Sequence, residues 1–338
     1  MNQSGERQDI RVCPLISESR GVLMGIFMVL IMLFHNHFGI LGKWGLPISA
    51  YGHWGVDAFL FISGFSLFYA LRKITPLRLG QFYRRRIIRI LPAAVIAGCT
   101  LYCLNLTDAS GLFGLNLWYI RTILILYLIA PILYKLITQN NALFVLIATV
   151  AFSATGLLVF IPLLKGTSFI CQSTISWTLA RLPVFLMGMY IARMDFNLRQ
   201  MMRPAYILFS LTCIAAALYL HYLRLIHHSF STHLHLFPYL LIAIGMPLMI
   251  TLLSLILSRI TFRAFNRIWA FIGACSLELY LVHEAIFKKV SELDISPGIR
   301  FIPAYGLAFF CAILLKYVAD KLAPGKKESS YCCTIRKR

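Results

Sequence analysis

Hydrophobic residues in this chain gather in long unbroken runs. They show neither the strict alternation of a half-buried strand nor the single stripe of a soluble amphipathic helix. About 20 such residues cross the hydrocarbon core of a bilayer as a helix. Read in order, the runs predict helices at about 21–40, 54–71, 88–104, 117–136, 142–161, 175–193, 204–222, 238–258, 268–287 and 301–320. Pro92 interrupts the third near its start. The pattern predicts an all-α integral membrane protein of about ten transmembrane helices. It reads as one domain over residues 1–338, with a core at about 18–320 and tails at 1–17 and 321–338. The first run starts near Gly21 and is long enough to span, so it is not read as a cleavable signal.

Basic residues between the runs give an orientation. One alternating set of segments holds Arg7, Arg11 and Arg20, the group from Arg72 to Arg89, Lys135, Arg193 to Arg203, Arg259 to Arg267 and the C-terminal tail. The other set holds Lys43, Lys165, Arg224, Lys288, Lys289 and Arg300. The tally is 23 against 6, which by the positive-inside rule puts both termini in the cytoplasm. An even number of crossings is then required, and ten satisfies it.

Composition sharpens this picture. The 338 residues are 59% apolar and 13% charged, with a mean hydropathy of +0.78. Soluble domains run at about 45–50% apolar and about 25% charged. An ordinary soluble enzyme, a disordered tail and a secreted disulfide scaffold are therefore excluded. The net charge of +20 belongs to the loops of a membrane protein, and no basic stretch is long enough to form a nucleic-acid-binding domain. Cys99, Cys103, Cys171, Cys213, Cys275 and Cys311 stand singly in or beside apolar runs and read as small buried hydrophobes. Cys332 and Cys333 lie in a basic tail without paired histidines, so no metal site is expected.

Charged groups inside a span cost several kcal/mol and mark candidate sites. Here they are His35, Asp57, Arg121, Arg181, Glu278 and His283, with His37 and Lys316 behind them. The ten-helix topology puts the first six at similar depth toward the outer face, which predicts a shared polar cavity. His221, His227, His228, His233 and His235 read as part of a solvated outer loop. The cytoplasmic face holds a second constellation between Phe82 and Pro92. Arg85 and Arg89 share a helical face at i, i+4, Arg86 neighbours Arg89 at i, i+3, and Arg20 ends the first helix. Guanidinium groups suit phosphate oxygens. Stop-transfer charge or lipid-headgroup anchoring explains the same arginines. Arg20 and His35 lie 15 residues apart, about 22 Å along a helix. A phosphate-bearing donor at the inner face needs a long thin arm to reach His35, and the phosphopantetheine arm of coenzyme A is such a carrier.

Several segments together resemble the integral-membrane acyltransferase 3 family. They are the Gly-led apolar run from Gly25 to Phe34-His35; Gly55-Val56-Asp57…Phe59…Phe61…Ser63-Gly64-Phe65; and Phe82…Arg85-Arg86…Arg89-Ile90…Pro92. Further along come Trp118-Tyr119…Tyr127-Leu128…Pro131, Arg181…Pro183…Phe185…Gly188 and Gly273…Ser276…Tyr280-Leu281…His283. They occur in family order over about residues 18–320. One position departs: in the family pattern ten residues separate an Arg from the His, which puts that Arg at the place held here by Met24, and Arg20 lies one turn earlier on about the same face.

The resemblance implies transfer of an acyl group, most simply acetyl from acetyl-CoA, to a hydroxyl of a cell-surface or secreted glycan, free or lipid-linked. It also implies the inner (plasma) membrane of a bacterium, with no permanently bound cofactor and no nucleic-acid partner. His35 becomes the general base, or less favourably a covalent nucleophile, with Asp57 to orient it. Arg20, Arg85, Arg86 and Arg89 become the donor-phosphate ligands. Arg121 or Arg181 becomes the oxyanion stabiliser, and Glu278 and His283 line the acceptor side. Composition alone fits a transporter of a polar or anionic substrate equally well, although the two halves show no internal symmetry of the kind common in carriers.

Overall fold

A computed structural model describes residues 10–35, 51–74, 78–106, 118–141, 144, 146–155, 174–226, 237–294 and 296–322. The regular elements among the described residues are all helices. In chain order they are α1 (Val12–Phe34), α2 (Trp54–Arg72), α3 (Leu79–Cys103), α4 (Trp118–Gln139), α5 (Leu146–Thr155) and α6 (Thr174–Met194). There follow α7 (Leu198–Met201), α8 (Pro204–Ile226), α9 (Phe237–Arg259), α10 (Arg263–Ala274), α11 (Ser276–Ser291) and α12 (Pro297–Leu322). Eight are long and apolar enough to cross a membrane, or nine if α10 and α11 count as one bent span. Of the ten expected, the stretch at 142–161 is seen only as the short α5, and its end lies outside the described residues.

Burial explains the run pattern. In α2, which is apolar on every side, 78% of the spanning window is buried between neighbouring helices. Helices α8 and α12 instead turn large side chains such as Leu208, Phe209, Ile302 and Phe310 outward, as lipid-facing helices do. With no hydrophobic force between helices in lipid, small residues set the closest approaches. Gly64 of α2 abuts the Phe185 carbonyl of α6, and Gly188 of α6 abuts the Phe61 carbonyl of α2. Gly21 and Gly25 of α1 meet Ala270, Trp269 and Gly273 of α10 in the same way. These two seams lie among the most extensive helix pairings.

Three elements differ from the sequence reading. Helix α1 begins at Val12 rather than near residue 21 and closes at Phe34. Val12 N–H donates to the Phe196 carbonyl and Arg11 pairs with Asp195, so the first turns are anchored beyond the apolar run. Helix α3 begins at Leu79 and continues through Pro92, which puts the arginine cluster on its first turns; neighbouring helices make such prolines tolerable. The expected span at 268–287 is broken. Cys275 ends α10 and starts α11 with φ −99° and ψ 7°, and the two helices meet at a 72° bend. Apolar continuity across residues 268–287 conceals this break, while Arg263, Asn266 and Arg267 make α10 amphipathic.

Candidate active site

Helix α1 carries two different chemistries along its length. Around its middle, five helices line an open cleft. Arg20 and Met24 come from α1, Phe59, Ser63 and Ser66 from α2, Arg86 and Arg89 from α3, Tyr119 and Tyr127 from α4, and Ser276 and Tyr280 from α11. The i, i+3 spacing of Arg86 and Arg89 and the i, i+4 spacing of Arg20 and Met24 bring each pair to one face. The Arg86 guanidinium lies 5.5 Å from the Phe82 ring and 5.6 Å from the Tyr127 ring, which hold it at the wall. Arg85 is exposed and does not line the cleft, so the pair at i, i+4 that the sequence favours is not the one that faces inward.

At the C-terminal end, His35 caps α1 and is half-buried, while His283 of α11 is 1% exposed. His283 Nε2 lies 3.1 Å from His35 Nδ1. His283 Nδ1 lies 2.9 Å from the Leu279 carbonyl and 3.1 Å from the Tyr280 carbonyl. A carbonyl oxygen only accepts, so His283 Nδ1 carries the proton and a neutral His283 presents a bare Nε2. That nitrogen in turn accepts from His35 Nδ1, which also reaches the Ile31 carbonyl at 3.1 Å. The remaining lone pair of a neutral His35 is then on Nε2.

The other predicted residues have neighbours of their own among the described residues. Asp57 and Arg181, each 1% exposed at the side chain, form an ion pair with Nε–Oδ1 3.3 Å. Three rings surround the guanidinium, at 4.1 Å for Tyr239, 4.3 Å for Trp118 and 4.8 Å for Trp177. The residue expected as an oxyanion stabiliser thus has Asp57 and three aromatic rings as its neighbours. Asp57 faces Arg181 and does not hold the His35 ring, whose imidazole partner is His283. Arg121 is exposed on α4, because the turn that brings Tyr119 and Ile123 inward carries it outward. Glu278 is buried in the first turn of α11 outside the cleft, and Lys316 pairs with Asp320 on α12 at 3.7 Å.

Several side chains escaped the sequence reading. His221 is not in a loop: it is buried on α8 with its ring 4.7 Å from His53, a residue the sequence did not single out. His37, His227, His228, His233 and His235 lie outside the described residues. Among the six cysteines expected to be buried, Cys103 is exposed, Cys99 and Cys311 are half-buried, and Cys171 lies outside the described residues. Among the described residues no cluster of three or more His, Cys, Asp or Glu is placed to hold a metal ion. Trp177 had a readable signal, since it stands four residues before Arg181 on one helix face.

The order of these features along the chain matches a known domain. The acyltransferase 3 family, described as an acyltransferase domain, has a family model that matches residues 22–320. The chain belongs to the acyltransferase 3 family. No curated protein and no solved structure matches it. As an acyltransferase 3 protein it is a multi-pass membrane acyltransferase. Both the arginine cleft and the histidine pair are built from residues inside the matched range, apart from Arg20, which stands two residues before it.

Proposed function

We propose that this acyltransferase moves a short acyl group, most simply acetyl, from cytoplasmic acyl-CoA to a hydroxyl of a cell-surface or secreted glycan, with His35 as general base. One observation carries the reading: a single helix links an arginine-lined cleft to an imidazole whose base nitrogen is fixed by a second imidazole. Arg20 and His35 are separated by 15 residues of that helix, about 22 Å. A phosphate-bearing donor with a long arm matches that separation. The excess of basic residues on the segments at the cleft end favours the cytoplasm on that side.

In this account the guanidinium groups of Arg20, Arg86 and Arg89 hold the donor phosphates. The pantetheine arm lies along the seryl and tyrosyl wall and brings the thioester to the histidine end. His35 Nε2 takes the proton of the acceptor hydroxyl as its oxygen attacks the thioester carbon. The new C–O bond forms, the C–S bond breaks, and the thiolate of coenzyme A leaves and takes up the proton. His283 accepts from His35 Nδ1 throughout, so the ring keeps its orientation when it becomes a cation. Asp57 and Arg181 brace α2, α6 and α9 below the reaction. No bound cofactor is needed, and the acceptor is presented from the bilayer side opposite the cleft.

Cells expressing the wild type and His35→Ala test the reading. Base-labile acyl esters on the surface glycan disappear in the variant while the glycan itself is still exported. Normal esterification in the variant overturns the catalytic role of His35. Loss of glycan export in place of esterification favours a transporter.

A further inference from the structure

The arginine cleft stops short of the histidines. Neither His35 nor His283 lines it, whereas three rings from three helices, Phe59, Tyr119 and Tyr280, do. Phe59 and Tyr119 have centroids 6.3 Å apart, and Tyr119 and Tyr280 are 4.9 Å apart. Tyr280 is in turn 5.8 Å from His283, one turn further along α11. All three rings are buried, at 2%, 8% and 6% exposure. Ser63 stands one turn after Phe59 on α2 and Ser276 one turn before Tyr280 on α11, so the rings lie on the His283 side of these hydroxyl groups.

We infer that the Phe59–Tyr119–Tyr280 constriction is the acyl-size filter of this enzyme, with Tyr280 as its movable element. The inference rests on the proposed acyl-CoA reading. The acyl group is the leading end of the donor and must pass this constriction to reach His35. Phe59 is set in α2, where 78% of the spanning window is buried between neighbouring helices. Tyr280 stands in the second turn after the 72° break at Cys275, where a small change of bend moves its ring relative to the other two. An acetyl group is little wider than the arm that follows it. A branched acyl group is wider than the arm next to its carbonyl, where the rings meet it, and discrimination against one extra carbon in an apolar site runs at about 10–200-fold.

The test uses full-length protein in membrane vesicles that carry the acceptor of its own cell, supplied with acetyl-CoA or isobutyryl-CoA labelled in the acyl group. The readout is the ratio of isobutyryl to acetyl label in base-labile, CoA-free material. This ratio does not depend on the amount of folded protein. Tyr280→Ala raises the ratio by about tenfold or more, and Tyr119→Ala raises it too. Tyr280→Phe, which restores a ring, returns the ratio toward that of the wild type. An unchanged ratio in both alanine variants, with the wild type transferring acetyl, overturns the filter and leaves the acyl-CoA reading intact. Absence of transfer from either donor by the wild type overturns both.

Discussion

His283 Nε2 and His35 Nδ1 face each other at 3.1 Å, and the second nitrogen of His283 is tied to two backbone carbonyls of its own helix. The proton order along Leu279 and Tyr280 carbonyls, His283 and His35 therefore runs in one direction. It leaves the lone pair of His35 at Nε2.

This relationship separates the two histidines experimentally. His35→Ala loses the base and lowers turnover by about 10²–10⁴-fold. His283→Gln keeps an amide oxygen that accepts from His35 Nδ1, whereas His283→Phe keeps none. A hydrogen bond to a charged group is worth about 1.5–3 kcal/mol, so the Gln variant outperforms the Phe variant by about tenfold or more in kcat. Equal activity of the two, measured in membranes with equal protein, removes the orienting role of His283.

The pairing of Asp57 with Arg181 predicts a pattern in stability. Removing one partner strands a buried charge, at about 3–5 kcal/mol. Asp57→Ala and Arg181→Met each lower the midpoint of thermal inactivation in detergent. The double variant Asp57→Leu/Arg181→Met recovers part of the loss, because neither charge remains buried. A double variant as unstable as the sum of the singles contradicts the pairing.

Met24 and Arg20 line the same cleft one turn apart on α1. Arg20→Ala weakens donor binding by about tenfold or more. Arg20→Ala/Met24→Arg regains much of it, since both side chains reach the same space. Titration of labelled acetyl-CoA on purified protein checks this. No regain in a folded double variant means that position 24 does not reach the donor.

The reciprocal glycine contact between α2 and α6 makes a packing prediction. A Cβ at Gly188 overlaps the Phe61 carbonyl, a backbone atom that yields only if the helices part. Gly188→Val destabilises the protein by about 1–3 kcal/mol, and Gly80→Ala, where nothing lies within 4 Å, is tolerated. Thermal inactivation of both variants in detergent compares them; equal midpoints contradict the close seam.

Helix positions were legible in the sequence because hydrocarbon demands long apolar runs, and those runs survive in α2, α4, α6, α8, α9 and α12. The break at Cys275 was not legible. Leu277, Leu279 and Leu281 continue the apolar run across it, and a bend leaves no mark on hydropathy. His35 and the arginine cluster stood out because charge in a span is costly. Which arginines face inward depends on helix rotation, which packing sets: Phe82 and Ile90 are buried, and that turn carries Arg86 and Arg89 to the cleft and Arg85 away. The partner choice of Asp57 was equally hidden. His35 and Arg181 were both plausible from depth alone, and only the packing of α2 on α6 selects Arg181.

Donor binding and acyl transfer are placed at the two ends of the stretch of α1 that runs from Arg20 to His35. Purified full-length protein in detergent, incubated with labelled acetyl-CoA, tests it directly in three forms: wild type, His35→Ala and Arg86→Ala/Arg89→Ala. The account predicts that His35→Ala binds the donor normally and fails to consume the thioester, while the arginine variant loses binding. Loss of donor binding in His35→Ala, or undiminished binding in a folded arginine variant, contradicts the two-ended arrangement.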